Sequence, residues 1–290
     1  MDDRYRLTYR AVRLALVALP ALLFVSSVAM AIQSRQFESS ISAYYGGPLR
    51  DLFVGVLMAT AVGLLVYRSD SVVEQYNFHG AALYLMVVAL VPTGLEQILA
   101  DLRASFVLSP EGVSPEQYVW ALRFSVTFTM ALGGLVFWRR FRHGVLGPAD
   151  RWAKAFVVVT LGVLAAFLAW MLWQLWVPPA TEVTLPWVHE IAAIFFIAAL
   201  VFAVWSHAWP LAAARRDGTG ATPEEVAAQG GYRVIVGLMV LGPLVTWVVS
   251  ALVAPDHLVL LLEWWEIALF ATFWVMETRR LKVTGGGSLL

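Results

Sequence analysis

The chain has no cysteine and little charge for its length. Without cysteine it forms no disulfide, no thiolate metal site and no iron–sulfur cluster, and it has no thiol nucleophile. Only 14% of its 290 residues are charged, and 20 basic residues balance 20 acidic ones, which gives a formal net charge of zero. Such a chain has no overall field that would recruit nucleic acid, so we expect no nucleic-acid partner.

The chain is unusually rich in hydrophobic residues. Hydrophobic residues make up 60% of the chain and the mean hydropathy is +0.73, whereas soluble domains are about half apolar and about a quarter charged. A membrane-spanning helix needs about 20 mostly apolar residues, because its backbone must form its hydrogen bonds internally. We therefore expect an all-α protein, a polytopic transmembrane helix bundle of about eight spans. One bundle would cover residues 1–283, followed by a flexible tail at 284–290, and the predicted spans are 12–32, 50–67, 78–98, 118–138, 154–175, 187–206, 233–253 and 257–277.

The first predicted span also has features of a signal peptide. Arg10 and Arg13 precede its apolar run, and Ala29 and Ala31 offer a cleavage site of small residues. We expect the helix to be retained, since its apolar run is longer than a signal peptide requires.

Basic residues indicate the orientation. With the N-terminus in the cytoplasm, the arginines and lysines between spans fall mainly on the inner side, and Arg35, Arg50, Arg103 and Arg123 are the exceptions. This positive-inside bias agrees with an even number of spans and with both termini inside. We expect a multi-pass protein of the plasma membrane, the inner membrane of a bacterium, with membrane lipids as partners; a protein partner or a homo-oligomer stays open.

The longest inner connection, residues 210–231, contains a predicted helix start. Thr222 is a capping residue, Pro223 suits the first helical position, and Glu225 completes a capping box. We predict a short surface helix there.

Ionisable residues inside apolar spans are the most informative feature, since each costs several kcal/mol unless it is paired, hydrated or neutralised. Here they fall in the outer halves of the spans. With two tyrosines of the first outer loop they form the candidate ligand-binding set, which consists of Tyr44, Tyr45, Arg50, Asp51, Glu96, Arg123, His189, Glu190, Glu263 and Glu266.

Glu263 and Glu266 are three residues apart and share one helical face, so two negative charges there would repel each other. Arg123 is the only base predicted at a similar depth, and an ion pair with one glutamate is the simplest solution. Alternatively, both glutamates line a water-filled outward cavity with Glu96, His189 and Glu190, which binds a ligand or a proton.

The first outer loop is rich in hydroxyl groups and turn-forming residues from Glu38 to Pro48. It either lines a polar entrance or forms an ordered turn whose hydroxyls satisfy backbone groups.

Several short motifs resemble a family of bacterial polytopic membrane proteins and, more distantly, the DRAM-type (damage-regulated autophagy modulator) membrane proteins. The matching segments are Ser40–Tyr45, Arg50–Gly55, Val88–Thr93, Val188–Phe196 and Glu263–Trp264. The DRAM-type relatives have six spans, and the resemblance implies that spans one to three and six to eight correspond to them. Spans four and five, with Arg123, would then be an insertion.

Three functions fit these observations, and we expect no cofactor. The first is a non-enzymatic protein that binds a lipid headgroup or a small polar ligand, as a sensor, scaffold or lipid-organising factor. The second is a proton-coupled or small-molecule transporter, suggested by the intramembrane carboxylates. The third is a metal-dependent lipid hydrolase that uses His189, His257 and Glu263, although no two histidines share a helix face at metal-binding spacing.

Overall fold

The structure is a computed structural model that describes residues 3–35, 37–43, 48–69, 71–109, 111–142, 150–217 and 221–284. Every regular element in these ranges is an α-helix, and the description contains no strand. In chain order the helices are α1 Asp3–Ser34, α2 Pro48–Val66, α3 Val72–Leu90, α4 Leu95–Leu108, α5 Pro115–Arg142, α6 Arg151–Trp176, α7 Val188–Ala208, α8 Pro210–Asp217, α9 Pro223–Val253 and α10 Leu258–Thr284. The predicted all-α class is confirmed.

Seven segments of the described chain are long and apolar enough to cross a membrane. They are α1 from Arg10, the segment Val72–Leu108 that holds α3 and α4, α5 as far as Arg139, α6, α7, α9, and α10 as far as Arg280. The remaining predicted span, 50–67, coincides with α2, which is 19 residues long and is not among the seven. The chain is therefore a multi-pass membrane protein by the length and composition of its helices.

Six of the helices close a ring. α1, α2, α3, α7, α9 and α10 contact one another in that order, and α10 returns to α1. α5 and α6 lie outside this ring and pack on α3. Because it is covered from both sides, α3 is buried from Val72 to Ala89 at every residue except Gly80. It therefore buries polar side chains that would otherwise face lipid.

Aromatic side chains fill the middle of the ring. Phe78 of α3 stacks on Trp274 of α10 at 5.5 Å between ring centroids, and Tyr67 packs edge-on against the same indole at 4.8 Å. Phe273 contacts both Phe78 and Trp274. Since these rings are almost completely buried, they separate the polar groups at one end of the bundle from those at the other.

The predicted span 78–98 is wrong at both ends. α3 begins earlier, at Val72, where Ser71 caps it by accepting a hydrogen bond from the Glu74 N–H. It stops at Leu90, because Pro92 disfavours helical backbone at Val91 and has no N–H of its own. The chain turns at Gly94 and continues as the separate helix α4, which buries Leu95 and Leu99 and exposes much of its surface.

Gly94 has a φ of 66°, in the left-handed region that side chains rarely adopt. A Cβ there would meet nothing within 4 Å, so only backbone strain opposes a substitution. We expect Gly94→Ala to lower the free energy of unfolding by about 1–2 kcal/mol. Gly80→Ala is the matched control: it also has room for a Cβ but lies inside α3, and it should stabilise the protein by about 0.5–1 kcal/mol. Denaturant unfolding that shows the same sign for both variants would contradict the assigned turn.

The predicted capping box is confirmed. The Thr222 side chain accepts from the Glu225 N–H, and the Glu225 carboxylate accepts from the Thr222 N–H. The helix that starts there is not short, however. It runs on without a break as α9 to Val253, and the short helix of this connection is α8, which precedes it. Residues 285–290 of the predicted tail lie outside the described residues.

Candidate functional site

Polar contacts between helices gather at the two ends of the bundle. One end contains the start of α10 with Glu263, the end of α3 and the start of α7, and we call it the Glu263 end. The other contains the end of α10 with Glu277, the start of α3 and the end of α7, and we call it the Glu277 end. Along an α-helix these two glutamates are about 21 Å apart.

At the Glu263 end, the segment of residues 38–43 is tucked against α10. The Ser39 carbonyl accepts a hydrogen bond from the Leu260 N–H at 3.0 Å. The Ile41 N–H donates to Glu263 Oε2 at 2.5 Å. The first turn of a helix has N–H groups without an internal partner, so the start of α10 holds a loop that is 222 residues away from Glu263 in sequence.

Hydroxyl groups extend this contact towards α3. Ser40 Oγ lies 2.9 Å from Ser42 Oγ, and Ser42 Oγ lies 3.1 Å from Thr93 Oγ1. Ser40 Oγ also accepts from the Ala43 N–H at 3.0 Å. Of the two interpretations of this loop, the described part, 38–43, is an ordered turn whose hydroxyls bond to the backbone and to each other.

Two histidines at the same end form hydrogen bonds with backbone carbonyls of neighbouring loops. The His189 ring lies with Nδ1 2.7 Å from the Val91 carbonyl oxygen, and His257 Nδ1 lies 3.2 Å from the Glu38 carbonyl oxygen. A carbonyl only accepts, so each Nδ1 carries the proton. The two rings thus fix the loop after α3 and the loop after α1. Within the described chain no three His, Asp or Glu residues come together as a metal-binding group.

Four separate segments meet at the Glu263 end. Hydrogen bonds link Glu263, the turn at Ser40–Ser42 and Thr93 into one chain of contacts, and His189 joins it at Val91, two residues before Thr93. The neighbouring Trp264 also fixes α10 against α1, because its indole N–H donates to Ser27 Oγ of α1 at 2.9 Å.

Other predicted residues take different places. Arg50, Asp51, Glu96 and Glu190 are exposed. Tyr44 and Tyr45 lie outside the described residues. Among the described members of the predicted set, Arg123, His189 and Glu266 are buried, and Glu263 is partly exposed.

Arg123 is buried, but it does not pair with either glutamate. Its Nε donates to the Leu175 carbonyl at 2.8 Å and its terminal nitrogen donates to the Pro178 carbonyl at 2.6 Å. The guanidinium also lies over two indole rings, 4.8 Å from the centroid of Trp120 and 5.4 Å from that of Trp176. The expected ion pair is corrected accordingly: Arg123 joins α5 to the end of α6.

Glu266 contacts another part of the bundle. Its side chain faces α9 at Gly242, where an added Cβ would lie 2.9 Å from Oε1. Both carboxylate oxygens are buried, and neither has a hydrogen-bond partner among the described residues. The neighbouring Trp265 donates to the Leu238 carbonyl at 3.0 Å and so fixes the same turn of α9 against α10.

A second polar network, at the Glu277 end, was missed by the sequence analysis. His207 of α7 donates from Nε2 to Glu74 Oε1 at 2.9 Å, and its Nδ1 lies 3.9 Å from Glu277 Oε2. The Ser69 hydroxyl donates to the other oxygen of Glu74. Glu74, His207 and Glu277 are all buried, so an imidazole joins carboxylates from two different helices.

Tyr232 and Arg280 complete the network. The Tyr232 hydroxyl donates to Glu277 Oε2 at 2.9 Å. Arg280 donates twice to the same carboxylate, from Nε at 3.1 Å and from its terminal nitrogen at 2.7 Å. Its remaining nitrogen reaches Glu225 at 3.4 Å. The network thus joins α3, α7, α9 and α10, every helix of the ring except α1 and α2.

Helix boundaries explain why this network was missed. Glu74 lies before the predicted start of its span and Glu277 at the predicted end of another, so each reads as an interfacial charge. His207 lies one residue beyond the predicted span 187–206. One signal was available: on α10, Glu266 and Glu277 are 11 residues apart, which returns to the same helical face.

The described surface has an apolar groove between α6 and α7, with a volume of about 300 Å³. Val163, Phe167 and Trp170 line one side, and Ile191 and Phe195 line the other. The groove carries no polar group that would select a ligand. Comparison of the chain with protein-family models, with curated proteins and with solved structures gives no match.

Proposed function

We propose that this chain crosses the plasma membrane, the inner membrane of a bacterium, eight times and has both termini in the cytoplasm. α2 is the eighth span in this proposal, and the Glu263 end faces outwards. Two observations support it: α2 is a member of the closed ring, and the arginines of the connections gather at the Glu277 end. A positive-inside distribution then places that end in the cytoplasm.

We further propose that the protein is not an enzyme and binds a lipid headgroup or small polar ligand at its outer end. The observation that carries this proposal is the turn 38–43, in which Ser40, Ile41 and Ser42 are buried and the Ile41 N–H donates to Glu263 of α10. Glu263 uses only one carboxylate oxygen in this contact; the other makes no hydrogen bond to the described residues. A carboxylate within a membrane-spanning helix costs several kcal/mol of stability, so its presence there favours a functional role.

The chemistry of the site favours one kind of ligand. Glu263 supplies an acceptor oxygen, and the hydroxyls of Ser40, Ser42 and Thr93 lie along the same chain of contacts. Arg123, the buried base of the predicted set, is occupied by carbonyls. The ligand that fits is therefore a donor, such as an amine or a sugar hydroxyl of a headgroup, rather than a phosphate.

The DRAM-like relationship is part of the proposal. Ser40, His189 and Glu263 lie in three of the segments that resemble the DRAM-type proteins, and all three belong to the same chain of contacts. The ring consists of predicted spans one to three and six to eight, and α5 and α6 lie outside it. This is the arrangement that an insertion of two spans into a six-span protein would produce.

The test is a comparison of the molecules retained after purification in a mild detergent. Glu263→Gln keeps an oxygen for the Ile41 N–H but removes the charge, so the variant should fold. We expect wild-type protein to retain an amine- or sugar-bearing species, and Glu263→Gln to retain at least about tenfold less, since ~1.4 kcal/mol corresponds to a factor of ten. Mass spectrometry measures both.

Glu116→Gln is the matched control, because Glu116 is exposed on the first turn of α5 and is not in the predicted ligand-binding set, and it should retain the species as wild type does. Equal retention by Glu263→Gln, or retention of bulk lipids in their bulk proportions, would overturn the ligand proposal.

A further inference from the structure

Glu266 is a buried acid without a neutralising partner in the part of the chain that the structure describes. Only 7% of the residue is exposed, and both of its carboxylate oxygens are buried without a hydrogen-bond partner among the described residues. Glu263, one turn away, has the Ile41 N–H, and Glu277 has Arg280 and Tyr232. Glu266 is thus the unpartnered member of the three glutamates on α10.

The helices packed against this part of α10 offer no counter-charge. α10 packs against α1 and α9. From Leu14 to Ser34 α1 has no ionisable residue, and α9 has none from Val234 to Val253. α7 reaches α10 through Phe196 and Phe270 and has no ionisable residue from 191 to 206.

The other ionisable groups lie elsewhere. Tyr84 of α3 packs on Phe167 and Phe195, away from α10. Glu277 and Arg280 are separated from Glu266 by the buried aromatic rings of Phe270, Phe273 and Trp274. Glu263 is the nearest ionisable residue along α10, and it carries charge of the same sign.

The facing turn of α9 is built from residues that alter a helix. Gly242 has no side chain, which lets Glu266 and Trp265 approach the backbone directly. Pro243 has no N–H, so the Met239 carbonyl one turn earlier lacks its helical donor. The Thr246 hydroxyl donates to the Gly242 carbonyl at 2.8 Å and is therefore not a donor to Glu266.

We propose that Glu266 is a proton-binding site within the membrane, at the contact between α9 and α10. The bound proton removes a charge that this apolar contact could not hold. It also makes the carboxyl group a hydrogen-bond donor, close to the turn of α9 in which the Met239 carbonyl lacks its helical donor. The backbone of α9 at Gly242 packs directly on the carboxyl group and keeps solvent away from it. Exchange of the proton therefore requires α9 and α10 to separate at this turn. The site is independent of the ligand proposed for Glu263.

Infrared spectra of the protein in phosphatidylcholine vesicles test this site, since a protonated carboxyl has its own C=O band. At neutral pH we expect this band in wild-type protein, its loss in Glu266→Gln and its retention in Glu116→Gln, since Glu116 is exposed. Gln has the shape of the neutral acid, so Glu266→Gln should keep wild-type thermal stability.

Three results would overturn the proposal. The first is the same carboxyl band in wild type and Glu266→Gln, and the second is failure of Glu266→Gln to fold, which would show that the charge is needed. The third is loss of the band when sodium ions are added at constant pH, which would assign the carboxylate to a metal cation.

Discussion

Glu277→Ala is expected to lower the free energy of unfolding by about 3–5 kcal/mol, the cost of removing one partner of a buried ion pair. The substitution leaves the partly buried Arg280 charge and the buried Tyr232 hydroxyl without the acceptor that both now use. It also removes the second carboxylate beside His207. Unfolding in mixed detergent micelles, followed by circular dichroism, measures the change.

Glu225→Ala is the matched control for this experiment. Glu225 contacts the same guanidinium, but at 3.4 Å and with 28% of its side chain exposed, whereas the Glu277 side chain is 1% exposed. Surface ion pairs contribute up to about 1 kcal/mol, and Glu225 also accepts from the Thr222 N–H in the capping box, so we expect a loss of at most about 2 kcal/mol. Losses of equal size for the two variants would show that the buried contacts of Glu277 do not stabilise the fold more than the exposed contact of Glu225.

Arg123→Ala is the second large effect, and we expect a loss of about 3 kcal/mol, since hydrogen bonds to charged groups contribute about 1.5–3 kcal/mol each. Two carbonyls, those of Leu175 and Pro178, lose their donor, and two indoles lose the cation stacked over them. The same unfolding measurement applies. Arg103→Ala serves as control, because Arg103 is exposed and donates to the single carbonyl of Thr181, and it should cost less than about 1 kcal/mol.

A double-mutant cycle distinguishes this account of Arg123 from the ion pair suggested by the sequence. If Arg123 bonds to carbonyls, the effects of Arg123→Ala and Glu266→Gln should add within about 0.5 kcal/mol. A coupling of more than about 1 kcal/mol would mean that the two side chains interact.

Hydropathy predicted the helices well because a spanning helix must be apolar along its whole length. It failed where local chemistry ends or extends a helix. Pro92 and Gly94 divide a continuous apolar run into α3 and α4. The polar residues after Thr222 concealed that α9 begins there, since a helix that protrudes from the membrane needs no apolar side chains.

The polar groups were harder to predict, because depth alone does not identify a partner. Arg123 bonds to the carbonyls at the end of α6, where the last turn of any helix has carbonyls without an internal donor; sequence offers no reason to prefer them to a glutamate. Glu74 and His207 are separated by 133 residues, and only the packing of α3 on α7 reveals that they meet. Glu263 was selected as a candidate because the cost of a carboxylate inside a span is visible in sequence.

The absence of cysteine provides the most direct test that the Glu263 end faces outwards, since each single-cysteine variant has no background. Gly112 is exposed in the turn between α4 and α5, at the Glu263 end, and Arg151 is exposed at the start of α6, at the opposite end. In intact cells, a membrane-impermeant maleimide should label Gly112→Cys and should label Arg151→Cys only after permeabilisation. Labelling of Arg151→Cys in intact cells, with Gly112→Cys protected, would place the Glu277 end outside and contradict the account.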